Sequence, residues 1–240
     1  MKGSTGRGAR RQSAPPMTRL MLVWVLVPLV AVAQETQAEP SETARLATKQ
    51  QSFGAVVAPA AMPDGATAVA GWGVVPEGGV TYRQGIEGWE LGVKARFDYL
   101  RLAVTGEAVV RRQVWTNGTW SVAPELGLGV TGDTGSRYFD EQNFRGLFLR
   151  VDPGLVTTWR VAETVAVVGL VEAPWDLGLN PSGTWRFKPM GGGGAEIYLG
   201  EDLSVLAVGE LGADIFKELR GVPQARLGYG VRLGLGVRLF

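Results

Sequence analysis

The stretch Leu227–Phe240 reads LGYGVRLGLGVRLF and alternates strictly between large apolar residues and either glycine or arginine. Odd positions from 227 to 239 are Leu, Val or Tyr, and even positions from 228 to 238 are Gly or Arg. A period of two puts every large apolar side chain on one face of a β-strand. The stretch has 14 residues, whereas an average strand has about 5–6 and a tilted membrane strand needs about 9–11. It therefore predicts a membrane-spanning strand of a β-barrel.

The same alternation continues through most of the chain before this stretch, and no long segment repeats with the 3.6-residue period of a helix. Ten segments fit it, of which the first two are the weakest: 66–74, 79–84, 89–97, 100–110, 120–131, 147–161, 165–177, 185–199, 203–216 and 227–240. Bacterial barrels have an even number of strands with both ends in the periplasm. We therefore expect an all-β fold, a single antiparallel up-and-down transmembrane β-barrel of ten strands, with eight as the alternative.

A soluble β-barrel or sandwich with an apolar core is the alternative arrangement of the same pattern. Glycine weakens a solvent-facing strand, but small residues fit a crowded lumen. The chain has 35 glycines. We assign these to the polar face: Gly92, Gly106, Gly127, Gly129, Gly154, Gly192, Gly194, Gly212, Gly228, Gly230, Gly234 and Gly236. Their number favours the membrane barrel.

Tryptophan positions favour the same interpretation. Five tryptophans share the parity of the apolar residues and lie near predicted strand ends: Trp89, Trp120, Trp159, Trp175 and Trp185. An aromatic girdle at the lipid headgroups would occupy such positions. In a soluble core we would expect large aromatic residues in the middle of strands instead.

The N-terminal region predicts export. Five basic residues precede an apolar run from Leu20 to Val32 that ends in the sequence AVA at 31–33. These features form a signal peptide, and the run is shorter than the ~20 residues of a retained membrane anchor. A start at Met17 rather than Met1 would give a signal of more usual length. We expect 1–33 to be the signal peptide, 34–65 a flexible periplasmic leader, and 66–240 the barrel in the outer membrane of a Gram-negative bacterium.

Charged residues on the polar face are the main candidate functional residues. In a barrel of eight to ten strands, side chains fill the lumen or leave it barely open, and buried charges must be paired. Nine of these residues are basic and nine acidic: Lys94, Arg96, Arg101, Arg150, Arg160, Arg186, Lys188, Arg232 and Arg238, and Glu90, Glu107, Glu125, Asp152, Glu172, Asp176, Glu196, Glu210 and Asp214. A selective pore should show an excess of one sign. The balance therefore predicts paired charges that plug the lumen.

Loop lengths orient the predicted barrel, since bacterial barrels have short periplasmic turns and longer outer loops. With a periplasmic C-terminus, the short connections at 162–163 and 200–202 are periplasmic. The connections at 132–145, 178–184 and 217–225 are then outer loops, and all three are longer and polar. The outer loop at 132–145 reads GDTGSRYFDEQNFR. It offers a contact surface that includes Arg137, Tyr138, Phe139 and Asp140.

Within the last strand, Arg232, Gly234, Val237 and Leu239 follow a fixed spacing, and the chain ends in Phe240. This pattern resembles the assembly signal of bacterial outer-membrane β-barrel proteins, although Phe240 lies on the opposite parity from the apolar row. The sequences PEGGVTYR at 76–83 and WELG at 89–92 resemble the opening hairpin of uncharacterised small proteobacterial barrels. The resemblance implies a monomer whose partners are outer-membrane lipid and, during biogenesis, the barrel assembly machinery.

The absence of His and Cys from the chain removes disulfides, the common hydrolytic triads and most zinc sites. A G-x-G-x-x-G match at 127–132 lies in a predicted strand with no helix after it, so we expect no dinucleotide site. We predict a non-enzymatic envelope protein that acts structurally or through its loops, without a cofactor, metal or nucleic-acid partner. A narrow small-solute channel and a soluble periplasmic barrel that binds an apolar ligand are the alternatives.

Overall fold

The described part of the chain consists of β-strands joined by turns and short irregular segments, and it contains no helix. The computed structural model describes residues 65–117, 119–135, 144–162, 164–200 and 202–239. The predicted signal peptide, almost all of the predicted leader, Phe240 and the loop residues Arg137, Tyr138, Phe139 and Asp140 lie outside the described residues. The strands are β1 (Thr67–Val75), β2 (Glu77–Ile86), β3 (Trp89–Asp98), β4 (Ala103–Arg112), β5 (Trp115–Thr116), β6 (Trp120–Asp133), β7 (Gly146–Ala162), β8 (Val165–Glu172), β9 (Trp175–Asn180), β10 (Ser182–Phe187), β11 (Met190–Tyr198), β12 (Leu203–Lys217) and β13 (Gln224–Arg238).

The strands form one antiparallel sheet that closes on itself through β1 and β13, which pair from Ala68↔Arg238 to Val75↔Val231. Strands β8 and β9 form one wall strand beside β7, and β10 and β11 together form the next one. The short β5 pairs with β6 alone and is not part of the ring. The fold is therefore an up-and-down barrel of ten wall strands. This confirms the predicted all-β, antiparallel up-and-down barrel and its strand number, and the eight-strand alternative is wrong.

Side chains alternate along the wall strands, with large apolar groups outside and charged groups inside. In β13, the outward side chains of Leu227, Tyr229, Val231, Leu233 and Leu235 expose between 49 and 71% of their surface, and the intervening glycines face the lumen. Gly106 is an exception to the predicted polar face. Its neighbours Thr105 and Glu107 are buried in the lumen, so Gly106 points outward.

Two predicted strands, 165–177 and 185–199, are each interrupted. The breaks fall at Ala173-Pro174 and at Lys188-Pro189, because proline has no N–H to donate to the ladder. The proline carbonyls still accept hydrogen bonds from the neighbouring strands. The Lys188 N–H donates to Pro174 over 3.0 Å, and the Ala213 N–H donates to Pro189 over 3.0 Å. The wall therefore remains continuous across both breaks.

The predicted outer loop at 178–184 is also wrong. Pro181 alone separates β9 from β10, and these strands pair from Leu179↔Ser182 to Trp175↔Phe187. The sequence GLNPSGT has the composition of a loop, but most of its residues extend the wall. Strand pairing here overrides the local preference of Gly, Asn and Pro for turns.

The barrel has two different rims. We call the end at which β1 begins and β13 ends the terminal rim, and the opposite end the loop rim. Strands β1 to β4 have 9 or 10 residues, whereas β6, β7, β12 and β13 have 14 to 17. The wall is therefore taller at the loop rim on the side of β6–β13 than on the side of β1–β4.

Neighbouring wall strands are strongly staggered. The register starting at Ala70 passes through Thr81, Lys94, Glu107, Gly129, Arg150, Asp176, Arg186, Phe216 and Gln224. Extending the β1–β13 register puts position 224 opposite position 82, a stagger of about 12 residues, which for ten strands gives a tilt of about 40°. A ten-residue strand then rises about 25 Å along the barrel axis.

The lumen is crowded, as the predicted glycine face requires. A Cβ atom at Gly194 would lie 2.7 Å from the Cα atom of Val208, and one at Gly129 would lie 2.7 Å from the Cα atom of Glu107. Apolar side chains fill part of the interior in the half nearer the terminal rim: Ala70, Val156, Val168, Leu170, Leu206 and Val208. A second apolar cluster lies towards the loop rim: Phe144, Phe148 and Phe216.

Candidate functional site

The charged lumen is the candidate functional site, and strand alternation directs the predicted charged residues into it. Ten of them are buried: Glu90, Lys94, Arg96, Glu107, Arg150, Asp152, Asp176, Arg186, Glu196 and Asp214. Eight are half-buried: Arg101, Glu125, Arg160, Glu172, Lys188, Glu210, Arg232 and Arg238. Arg101 belongs to the turn between β3 and β4, and the others lie on or between wall strands.

Arg96 on β3 is the centre of the largest ion-pair cluster. Its guanidinium lies 2.7 Å from Glu107 on the neighbouring β4 and 2.5 Å from Asp152 on β7. It also lies 3.4 Å from both Glu77 on β2 and Glu172 on β8. One side chain therefore links strands on opposite sides of the ring through four carboxylates.

Arg232 on β13 extends this cluster to the closing strands. Its Nη2 atom lies 3.3 Å from Glu172 and 2.9 Å from Glu210 on β12. Glu172 thus bridges the guanidiniums of Arg96 and Arg232. On the other side, Arg150 lies 3.5 Å from Asp176 and 4.0 Å from Glu107. The ion pairs therefore form a continuous layer across the middle of the lumen.

A second group of pairs lies between this layer and the terminal rim. The carboxylate of Glu90 accepts hydrogen bonds from Arg83 over 3.0 Å and from the Nη2 of Arg111 over 2.5 Å. Lys94 donates to Glu125 over 2.8 Å. Charge-assisted bonds of this kind are the strong ones when both groups are buried, so this layer stiffens the terminal half of the barrel.

A third group lies at the loop rim around Asp214 on β12. Its carboxylate lies 2.5 Å from Arg101, 2.6 Å from Arg226 and 3.1 Å from Arg186. The guanidinium of Arg186 also stacks 4.0 Å above the ring of Phe144. Asp214 therefore ties the β3–β4 turn to the taller side of the wall.

The paired side chains divide the lumen into small cavities. A central cavity and one nearer the loop rim share walls made by Glu77, Arg96, Arg150, Pro174 and Lys188. The central cavity and one nearer the terminal rim share Trp72, Glu172 and Arg232. The ion-paired residues are thus the partitions between compartments.

Sequence reasoning missed six charged residues of the lumen: Glu77, Arg83, Asp98, Arg111, Asp133 and Arg226. Asp98, Arg111, Asp133 and Arg226 continue the alternation of strands whose other polar residues were identified, so extending the pattern would have found them. Glu77 and Arg83 lie on β2, one of the two weakest predicted strands, for which no lumen residue was assigned. Three are acidic and three basic, so the charge balance is unchanged. Trp72 was also missed, and its ring lies 5.8 Å from the Arg232 guanidinium.

The predicted girdle tryptophans lie on the outer surface. Trp89, Trp120 and Trp159 are exposed near the terminal rim, and the rings of Trp120 and Trp159 stack with their centroids 5.3 Å apart. Trp175 on β9 and Trp185 on β10 lie in the half nearer the loop rim. Trp115 on β5 is also exposed and was not predicted, because the short β5 has no long alternation.

The residues of the predicted assembly signal occupy both faces of β13 and its end. Arg232 and Gly234 face the lumen, while Val237 and Leu239 are exposed on the outside. The apolar half of the signal is therefore accessible from outside the barrel.

No protein-family model matches the chain, and no curated protein sequence matches it. The described residues contain no helix that is long and apolar enough to span a membrane. Within the same residues, no cluster of three or more acidic side chains is arranged to hold a metal ion. Any functional argument therefore depends on the charges, cavities and surfaces of the barrel itself.

Proposed function

We propose that this chain is a non-enzymatic outer-membrane β-barrel whose lumen is closed by ion pairs and which acts as a structural element or through its loops. The observation that carries the proposal is the reversed polarity of the barrel. Charged side chains pair inside, and large apolar side chains cover the outside. A soluble protein has the opposite arrangement.

The outer surface supports a lipid environment. Soluble monomers rarely expose apolar patches larger than a few hundred Å², yet every wall strand here presents exposed or half-exposed apolar side chains. Examples are Val93 on β3, Leu128 on β6, Val167 on β8 and Leu211 on β12. A rise of about 25 Å for a ten-residue strand agrees with the apolar band of outer-membrane barrels.

The interior supports a plug rather than a selective pore. Cation and anion channels use rings of one charge sign, whereas Arg96, Arg150 and Arg232 each contact carboxylates from neighbouring or opposite strands. Ion pairs that hold their partners in a buried lumen also resist displacement by a passing ion, because separation exposes an uncompensated charge.

A narrow channel is the second candidate, because the three cavities follow one another along the lumen and adjacent ones have side chains as shared walls. Rotation of Arg96 or Arg232 would connect them. Conductance of the purified protein in planar bilayers separates the two candidates. The plugged barrel predicts no stable current steps, and large, stable steps would favour the channel.

Fractionation tests the location. We expect the folded protein in the outer-membrane fraction, with a heat-dependent change in electrophoretic mobility that reports an intact barrel. Recovery from the periplasm without detergent would contradict the proposal and favour a soluble barrel for an apolar ligand.

A further inference from the structure

The wall has a gap at the loop rim, between β13 and the β1–β2 hairpin. Strand β1 ends at Val75, opposite Val231, and Pro76 alone connects it to β2. Strand β13 extends seven residues further towards the loop rim, Gln224–Gly230, which pair with β12 on one side. In the described part of the chain, no strand pairs with their other side. We call this gap the lateral notch, and its lining includes Pro76, Leu100, Lys188, Leu227, Gly228 and Tyr229.

The lateral notch is apolar where it meets the outer surface. Leu227 is 71% exposed and Tyr229 is 56% exposed, while Gly228 between them has no side chain to fill the gap. The cavity measures about 190 Å³, which is below the range of about 300–1,000 Å³ for drug-sized ligands, so it would enclose part of a long chain and leave the rest at its mouth. Its shape and chemistry suit one hydrocarbon chain that enters from the side.

The inner end of the lateral notch carries a cation. Lys188 is the side chain that lines the notch, the central cavity and the cavity nearer the loop rim alike. Among the described residues, no carboxylate oxygen lies within 4.0 Å of its Nζ atom, whereas the other cations of the notch, Arg101 and Arg226, are both paired with Asp214. Glu77 and Glu210 act on Lys188 electrostatically from the side of the central cavity, but neither forms an ion pair with it, so the half-buried ammonium can still donate hydrogen bonds to an anionic ligand.

We propose that the lateral notch binds a free fatty acid, with its carboxylate on Lys188 and its chain along Leu227 and Tyr229 towards the outer surface. The ammonium of Lys188 can pair with one carboxylate, and the unpaired edge of β13 leaves room for one hydrocarbon chain. A neutral lipid would offer the Lys188 ammonium no charged group. This inference uses the proposed membrane location only as the source of the ligand.

Protection from chemical labelling tests the site directly, because the chain has no cysteine and a single introduced one is labelled uniquely. We would insert the Leu227→Cys protein into phosphatidylcholine nanodiscs and measure its reaction with a maleimide as laurate is added. We expect laurate to slow the reaction by about five-fold or more, as occupancy of the notch excludes the reagent. Val222→Cys, which is exposed at the same rim, is the matched control and should react at an unchanged rate.

Charge variants in the Leu227→Cys background test the role of Lys188. Lys188→Gln should raise the laurate concentration for half-protection by about ten-fold, since a charge-assisted bond becomes a neutral one, and Lys188→Arg should restore most of the affinity. Lys217→Gln, which removes a cation on the outer face of β12, should change nothing. 1-Dodecanol should protect equally in the wild-type and Lys188→Gln backgrounds.

The proposal would be overturned if laurate did not protect Leu227→Cys, or if the laurate affinity were equal with and without Lys188. Equal binding of laurate and dodecanol to the wild-type background would also overturn it. Heat-dependent mobility checks that each variant is folded. If the protein does not insert into nanodiscs, the proposed membrane location is wrong, and the same protection assay on the soluble protein still decides about the notch.

Discussion

Replacing Arg96 with methionine tests the ion-pair plug where it is densest. The guanidinium lies within 3.4 Å of four carboxylates, and the two nearest belong to Asp152 and Glu107. These two residues are only 3 and 4% exposed, so water cannot replace the lost cation. Breaking a buried pair costs about 3–5 kcal/mol, and we expect the free energy of unfolding of Arg96→Met to fall by that amount.

Urea unfolding of the protein in lipid vesicles, followed by tryptophan fluorescence, measures this change. Adding Glu107→Gln and Asp152→Asn to Arg96→Met removes the uncompensated charges and should recover about 2 kcal/mol, a coupling expected of residues in contact. Arg96→Lys keeps the charge but loses the planar fork, and should fall between the wild type and Arg96→Met. A loss below about 1 kcal/mol, which is typical of an ordinary substitution, would refute the plug as a structural element.

Three further changes test other parts of the barrel. Leu235→Arg on the outer face should destabilise the vesicle-embedded protein by about 2–4 kcal/mol, whereas Leu235→Phe should not; equal unfolding curves would contradict a lipid-facing wall. Gly194→Val faces the crowded lumen and should abolish the heat-dependent mobility of the folded barrel, whereas the outward Gly193→Ala should keep it; a folded Gly194→Val would show that the lumen has room there. Trp159→Ala removes the stack on Trp120, worth about 0.5–1.5 kcal/mol beyond lost burial, and should weaken the near-ultraviolet circular dichroism; an unchanged spectrum would contradict the stack.

The sequence predicted the barrel because alternation is a property of each strand alone. In β13, each apolar residue is followed by Gly or Arg, and the structure keeps that parity from Leu227 to Val237. The breaks at Pro174 and Pro189 could not be located from parity, since the alternation continues on both sides. The predicted loop around Pro181 was wrong for the opposite reason. Its neighbours have the composition of a loop, but they extend wall strands because they pair with β7 and β12.

The pairing of the lumen charges was predictable in kind but not in detail. Parity places Arg96 and Glu172 on the same inner face, yet they lie 76 positions apart in the chain. Their contact depends on the stagger, which sets the height of each side chain along the barrel axis and therefore which residues face each other across the lumen. Stagger follows from the register of all ten wall strands together, and no single segment encodes it. The same reasoning explains why Lys188 could be assigned to the lumen but not to the notch.

The lateral notch follows from the way the ring closes. A barrel has an even rim only if neighbouring strands end at the same height along its axis. Here β1 has 9 residues and β13 has 15, so their ends at the loop rim cannot coincide. The barrel therefore closes by pairing a long strand with a short one, which leaves the edge of β13 open at the loop rim. Arg96, Arg150 and Arg232 obstruct the axial route through the lumen. An open edge beside Lys188 then offers a route to the interior from the side, and this route favours a chain that arrives from the proposed surrounding membrane over a solute that enters along the axis of the lumen.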